Sequence, residues 1–115
     1  MPESGAYQKA TRYQISVGTK DSETRTQKFT TEFIEKIICN VCRGYRLDYS
    51  ISPVRGGYFH GDGGFVSEDS FCVTLIGAEE NDVYEIAKDI CAFLHQETVI
   101  VSRDTVDFLV LHESL

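Results

Sequence analysis

Hydrophobic and polar positions along this chain switch between two periods, and the switches mark its elements. Tyr13, Ile15 and Val17 alternate with Gln14, Ser16 and Gly18, the period-two pattern of a half-buried strand. After a polar connection over 18–25, Phe29, Phe33, Ile34, Ile37, Ile38, Val41 and Cys42 recur at spacings of three and four, predicting an amphipathic helix. Thr26 or Thr30 can cap its start, Glu32 and Glu35 suit its positive end, and Arg43 suits its negative end. Gly44 suits the left-handed position just after. Alternation resumes at Tyr45, Leu47, Tyr49 and Ile51 and again at Phe71, Val73 and Leu75. These predict a hairpin with arms 45–58 and 65–76 around a Gly61-Asp-Gly-Gly64 tip, a favoured tight-turn centre. Asp82 followed by Glu85 reads as a capping box for a second helix, with Val83, Ile86, Ala87, Ile90, Cys91 and Leu94 as its buried stripe. A fourth strand over 98–101 is broken at Ser102-Arg-Asp104, and 105–111 reads as one more extended piece.

The resulting order is βαββαβ with an extra C-terminal strand. Right-handed crossovers then give a ferredoxin-like α+β domain: an antiparallel sheet in order 4-1-3-2 with both helices on one face. Residues 1–10 are expected to form a flexible arm and 11–115 the single domain. Between Val54 and Phe65 the apolar residues are few and aromatic, so the distal hairpin should project from the core. The uncovered sheet face carries Cys72, Thr74, Ile76, Ile100 and Leu109, which is not wholly polar. A homo-oligomer that covers it is expected, a dimer being favoured.

Charge sharpens the picture. The net charge is −7, with nine Lys/Arg against six Asp/Glu up to residue 55 and only Lys88 and Arg103 against twelve acids after it. That acidic half repels phosphates and argues against direct nucleic-acid binding, while it suits a basic protein partner. No run approaches the length of a membrane span and no apolar signal core opens the chain, so a cytoplasmic protein is expected. The C-x-x-C of Cys39 and Cys42 falls late in the first helix, away from the N-terminal dipole that would activate a thiol, and no second pair completes a metal site. All four cysteines are expected to be reduced, with no metal and no cofactor.

Two resemblances add expectations. The run Gly-Gly-Tyr-Phe-His-Gly-Asp-Gly from Gly56, with Glu68, Leu75-Ile-Gly77 and Cys91-Ala-Phe-Leu-His-Gln-Glu-Thr-Val99, resembles small ferredoxin-like proteins of Firmicute mobile elements. This implies an accessory or counter-defence role, such as an anti-CRISPR or anti-restriction inhibitor. The topology with its long loop between the second and third strands also resembles nitrogen-regulatory P-II-like signalling proteins. That resemblance implies trimers binding nucleotides in clefts between subunits. Where those proteins have a glycine- and lysine-bearing loop, this chain reads His95-Gln-Glu-Thr98, which removes the phosphate ligands.

Candidate chemistry is sparse. The glycines of the tip are not a phosphate loop, because no Lys-Ser/Thr and no helix follow them. No serine sits in a nucleophile elbow. A non-catalytic binding protein is therefore expected, occluding a basic surface through Tyr58, Phe59, His60, Asp62, Phe65, Glu68 and Asp69. One alternative is a P-II-like small-ligand or nucleotide sensor with a pocket from Arg43, Arg46 and Arg55. Another is an enzyme using His60 and Asp62.

Overall fold

The computed structural model describes residues 7–20, 26–59, 61, 63–96 and 99–112, apart from the side chains of Tyr58 and Val66. Six elements follow one another: β1 (Gln8–Gly18), α1 (Thr31–Gly44), β2 (Ser50–Phe59), β3 (Phe65–Ile76), α2 (Glu80–Phe93) and β4 (Ile100–Phe108). The strands form one antiparallel sheet in the order β2-β3-β1-β4. This is the ferredoxin-like arrangement expected from the sequence, with both helices on one side.

Strand alternation decides which side. Tyr13, Ile15 and Val17 of β1 and Phe71, Val73 and Leu75 of β3 are buried, and the register pairs Ile15 with Val73 and Val17 with Phe71. Against them pack Ile34, Ile38 and Cys42 of α1 and Val83, Ile86, Ala87 and Ile90 of α2. The α1 stripe is thus centred on 34, 38 and 42. Phe33 is turned outward and stacks on Phe29, ring centroids 5.2 Å apart. Thr30 caps α1 as the sequence suggests, its Oγ1 accepting from the Phe33 amide at 3.2 Å.

Several expectations are corrected. The left-handed residue after α1 is Arg46 (φ 56°) and not Gly44, because the helical turn continues through Tyr45 and its bond to the Cys42 carbonyl. Residues 45–49 therefore connect α1 to the sheet and are not strand, although Tyr45, Leu47 and Tyr49 still pack against the core. Helix α2 begins at Glu80, two residues before Asp82, and its cap Glu79 makes no side-chain bond. Glu80 and Asp82 instead place negative charge in the first turn, where the helix dipole favours it. Ser102, Arg103 and Asp104 do not break the last strand. β1 is eleven residues long and templates β4 straight through them, with Arg12 making two bonds to Asp104 directly opposite, at 3.0 and 2.6 Å. The extra C-terminal strand is thus the second half of β4. β1 itself starts at Gln8, so 8–10 belong to the sheet; residues 1–6 lie outside the described residues.

The β2–β3 ladder runs out to Phe59 opposite Phe65, beyond the reach of either helix. The chain is accordingly 55 Å long, with a radius of gyration of 17.0 Å against about 13 Å for a compact chain of this length. Among the described residues no helix is long and apolar enough to cross a membrane.

Because Ile38 and Ile90 are fully buried between helices and sheet, Ile38→Ala or Ile90→Ala should each cost about 2–5 kcal/mol in chemical denaturation. Phe33→Ala, at an outward position, should cost less than either. An Ile38→Ala midpoint equal to wild type would show that α1 is docked by another face.

Candidate functional site

The helix-facing row of β3 reads Leu75, Val73, Phe71 and then Asp69 and Ser67, so the apolar floor under the helices turns polar where the helices end. The matching row of β2 reads Ile51, Pro53, Arg55, Gly57 and Phe59. Arg55 lies directly opposite Asp69, and its Nε donates to Oδ1 at 3.2 Å. Two hollows flank this ion pair. One, of about 260 Å³, is lined by Thr19, Lys20, Gln27, Arg55, Ser67 and Asp69. The other, of about 460 Å³, is lined by Thr31, Pro53, Val54, Arg55, Asp69, Ser70 and Phe71. Together they form a groove at the base of the hairpin, beside the start of α1.

The walls are held by hydrogen bonds. Buried Thr19 donates its hydroxyl to the Asp69 carbonyl at 2.9 Å, tying the end of β1 to β3. Gln27 donates to the Phe29 carbonyl and to Thr31 Oγ1, at 2.9 and 3.1 Å, which fixes the chain entering α1. Gln96 donates from Nε2 to the Lys20 carbonyl at 2.7 Å. Gln96 itself is set by the turn that ends α2. His95 is left-handed (φ 51°), and the amides of His95 and Gln96 return to the carbonyls of Ala92 and Cys91.

Glu68 points to the other sheet face. Its neighbours there are glycines: Gly56 is opposite it on β2, and on β1 its carboxylate lies over Gly18. It is half-buried and has no hydrogen-bond or ion-pair partner among the described residues.

Of the remaining sequence candidates, Phe59 and Phe65 do meet. They form an edge-on pair with centroids 5.2 Å apart at 73% and 62% exposure, and the Phe65 ring lies over Gly57, where any side chain would collide with it. Tyr58 pairs with Val66 through its backbone; its side chain, His60 and Asp62 lie outside the described residues. Arg43, Arg46 and Arg55 are not gathered within one chain. Thr31, in the first turn of α1, borders Arg55, while Arg43 is in the last turn, about 18 Å along the helix axis. The sequence reading missed Thr19, Lys20 and Gln27 of the lining, none of which stands in a recognisable motif.

The C-x-x-C sits elsewhere, against the core. Burial, and then the nearby Cys39, push the Cys42 thiol from an ordinary 9.0 up to about 11. An unfolded Cys42 ionises first, so this contribution to stability is complete below pH 9 and lost as pH rises through 11. In the folded protein Cys42 should resist iodoacetamide at pH 8 and label only after denaturation, as read by peptide mass mapping. Rapid labelling of native protein would contradict its placement.

No protein-family profile and no curated protein matches the chain. Several solved structures do. A phage SAM lyase in complex with S-methyl-5′-thioadenosine is 22% identical, with 96% of this chain and 95% of that one covered and a TM-score of 0.58. A phage SAM lyase in the apo state is 21% identical, with 99% and 98% covered and a TM-score of 0.60. A putative PII-like signalling protein from Thermus thermophilus is 14% identical, with 90% and 92% covered and a TM-score of 0.51. At these identities the likeness establishes the fold, and it agrees with the P-II-like resemblance at the level of topology. Nothing in it supports the mobile-element resemblance or an inhibitor of host defence. It corrects the expectation of a non-catalytic chain: the same fold, matched end to end, is that of a lyase, so the lack of a familiar catalytic motif is no ground for excluding catalysis.

Proposed function

We propose that this chain binds S-adenosylmethionine in the groove at the hairpin base and releases S-methyl-5′-thioadenosine from it. The observation that carries the reading is the paired hollow about Arg55 and Asp69, in a fold matched end to end by a SAM lyase. The larger hollow falls within the range of about 300–1,000 Å³ usual for small-molecule sites. Pro53 and Phe71 offer apolar surface to an adenine ring, and Asp69, Ser67 and Gln27 offer polar groups to ribose hydroxyls. Among the described residues Lys20 is the one lining cation without an ion pair, since Arg55 is committed to Asp69. That favours a ligand without phosphates over the nucleotides of a P-II-like sensor.

The chemistry asks little of the protein. A sulfonium carries its own leaving group, and the four-carbon arm of S-adenosylmethionine carries its own nucleophile. One arm carboxylate oxygen forms a bond to the carbon attached to sulfur; the C–S bond breaks and its electron pair passes to sulfur. The products are a neutral thioadenosine and a five-membered lactone, with no water, cofactor or protein nucleophile consumed. Because opposite charges are discharged together, a dry site that holds the arm folded lowers the barrier.

We place this site in a homo-oligomer. Ile76 and Ile100, 50% and 67% exposed, lie on the uncovered sheet face, and the Phe59–Phe65 pair is largely exposed on the hairpin. Other copies of the chain would cover both. A cytoplasmic setting is part of the proposal and suits the four free cysteines.

Incubation with S-adenosylmethionine should yield S-methyl-5′-thioadenosine by chromatography, and Asp69→Ala should lower kcat/KM about tenfold or more. Absence of product, together with no thermal shift from either compound, rejects the reading; a shift with ATP or ADP alone selects the sensor. Light scattering should give a multiple of 13.0 kDa. A mass of one chain at high concentration would remove the oligomer.

A further inference from the structure

The two hollows beside Arg55 and Asp69 differ in what lines them. The larger has Pro53, Val54 and Phe71 in its wall, whereas the smaller is lined by Thr19, Lys20, Gln27, Arg55, Ser67 and Asp69, without an apolar side chain. They differ in charge as well. Among the described residues, the larger holds only the Arg55–Asp69 ion pair and is neutral, while Lys20 leaves the smaller with one positive charge in excess. In a chain of net charge −7 that is a local reversal of sign. Lys20 is also anchored on both sides. Buried Thr19 before it donates its hydroxyl to the Asp69 carbonyl at 2.9 Å, and the Lys20 carbonyl accepts from Gln96 Nε2 at 2.7 Å. Its backbone is thus tied to β3 and to the turn after α2, and its half-buried side chain lines the hollow.

A hollow with one cation in excess suits one anionic group. Resting on the reading above, we infer that Lys20 binds the carboxylate of the amino-acid arm of S-adenosylmethionine and makes the site prefer ligands that carry it. The adenine ring goes to the apolar wall of the larger hollow and the end of the arm to the polar one. At about 260 Å³ the smaller hollow has room for several groups the size of a water molecule, which takes up about 30 Å³ in the liquid. An ammonium facing a carboxylate makes a charge-assisted hydrogen bond, roughly twice as strong as one between neutral groups. One such ammonium is enough for a carboxylate and leaves most of the charge of a di- or triphosphate unmatched.

Lys20 acts on binding and orientation rather than on the bond-breaking step. The carboxylate loses its charge as its oxygen closes on carbon, so the ammonium holds the substrate more tightly than the transition state. An ammonium is a compact point charge, so it can hold one carboxylate oxygen while the other is left to react. Once the carboxylate is closed into a lactone that hold is lost, and the product can leave.

S-adenosylhomocysteine, its decarboxylated analogue and S-methyl-5′-thioadenosine are thioethers that the reaction does not consume, so calorimetric titration compares them at equilibrium. Wild type should prefer S-adenosylhomocysteine to the decarboxylated analogue by about tenfold or more. Lys20→Met should bring that preference toward unity and leave the other two ligands within about twofold, with melting temperatures confirming the fold. Lys20→Arg should keep most of the preference. With S-adenosylmethionine as substrate, Lys20→Met should raise KM about tenfold and leave kcat within about threefold. Equal weakening of all three ligands by Lys20→Met would make Lys20 a purely structural residue and overturn its role, as would a preference that survives the substitution. A wild type that binds all three alike overturns the subsite but leaves the adenosine reading standing. Failure to bind any of them overturns both.

Discussion

Burial on one side of a four-stranded sheet is the constraint from which the rest of the molecule follows. Ile15, Val17, Val73 and Leu75 have no exposed surface, and each such side chain contributes about 1.5–3 kcal/mol when removed from water. Both helices must dock on that face, and their fourteen residues apiece cover only part of the long β2–β3 pair. Where they stop, the same row of side chains continues without a lid. Phe71 is the last buried residue of the row; Asp69 and Ser67 follow, paired with Arg55 and Gly57. The groove is thus the end of the core, turned polar, and its walls come from β2, β3, the first turn of α1 and the connection between β1 and α1.

This placement explains which parts of the molecule could be read in advance. Topology was legible because periods of 2 and 3.6 are imposed by burial, and the burial is one-sided throughout. Local endings were less so. Gly44 looked like the helix terminator, yet the turn continues through Tyr45, whose amide donates to the Cys42 carbonyl, and the left-handed residue is Arg46, whose amide donates to the Arg43 carbonyl. The polar Ser102-Arg-Asp104 looked like a break, yet β1 pairs with all three residues, and exposed ion pairs to Arg12 and Glu80 occupy Asp104 and Arg103.

The site was legible only in part. Glu68, Asp69 and Arg55 stood out by charge, and the structure assigns them to different surroundings: Asp69 and Arg55 to each other, Glu68 to the opposite face over Gly18. Thr19 and Gln27 carried no signal, because they reach the groove only when the connection between β1 and α1 folds against Ser67 and Asp69, about 40–50 positions further along the chain. The expectation of a chain without catalysis had a chemical origin. Searching for nucleophile, base and metal presumes a substrate that must be activated, and a fold shared with a lyase shows that catalysis does not require those motifs.

Whether the groove is the adenosine site can be decided by backbone amide NMR of the chain titrated with S-methyl-5′-thioadenosine. Shifts should concentrate at Thr19, Lys20, Gln27, Ser67 and Asp69, the residues lining the smaller hollow, and extend to Phe71 in the larger one. Saturable shifts confined to the Arg43–Arg46 end of α1 or to the hairpin tip, with these amides unmoved, would contradict it.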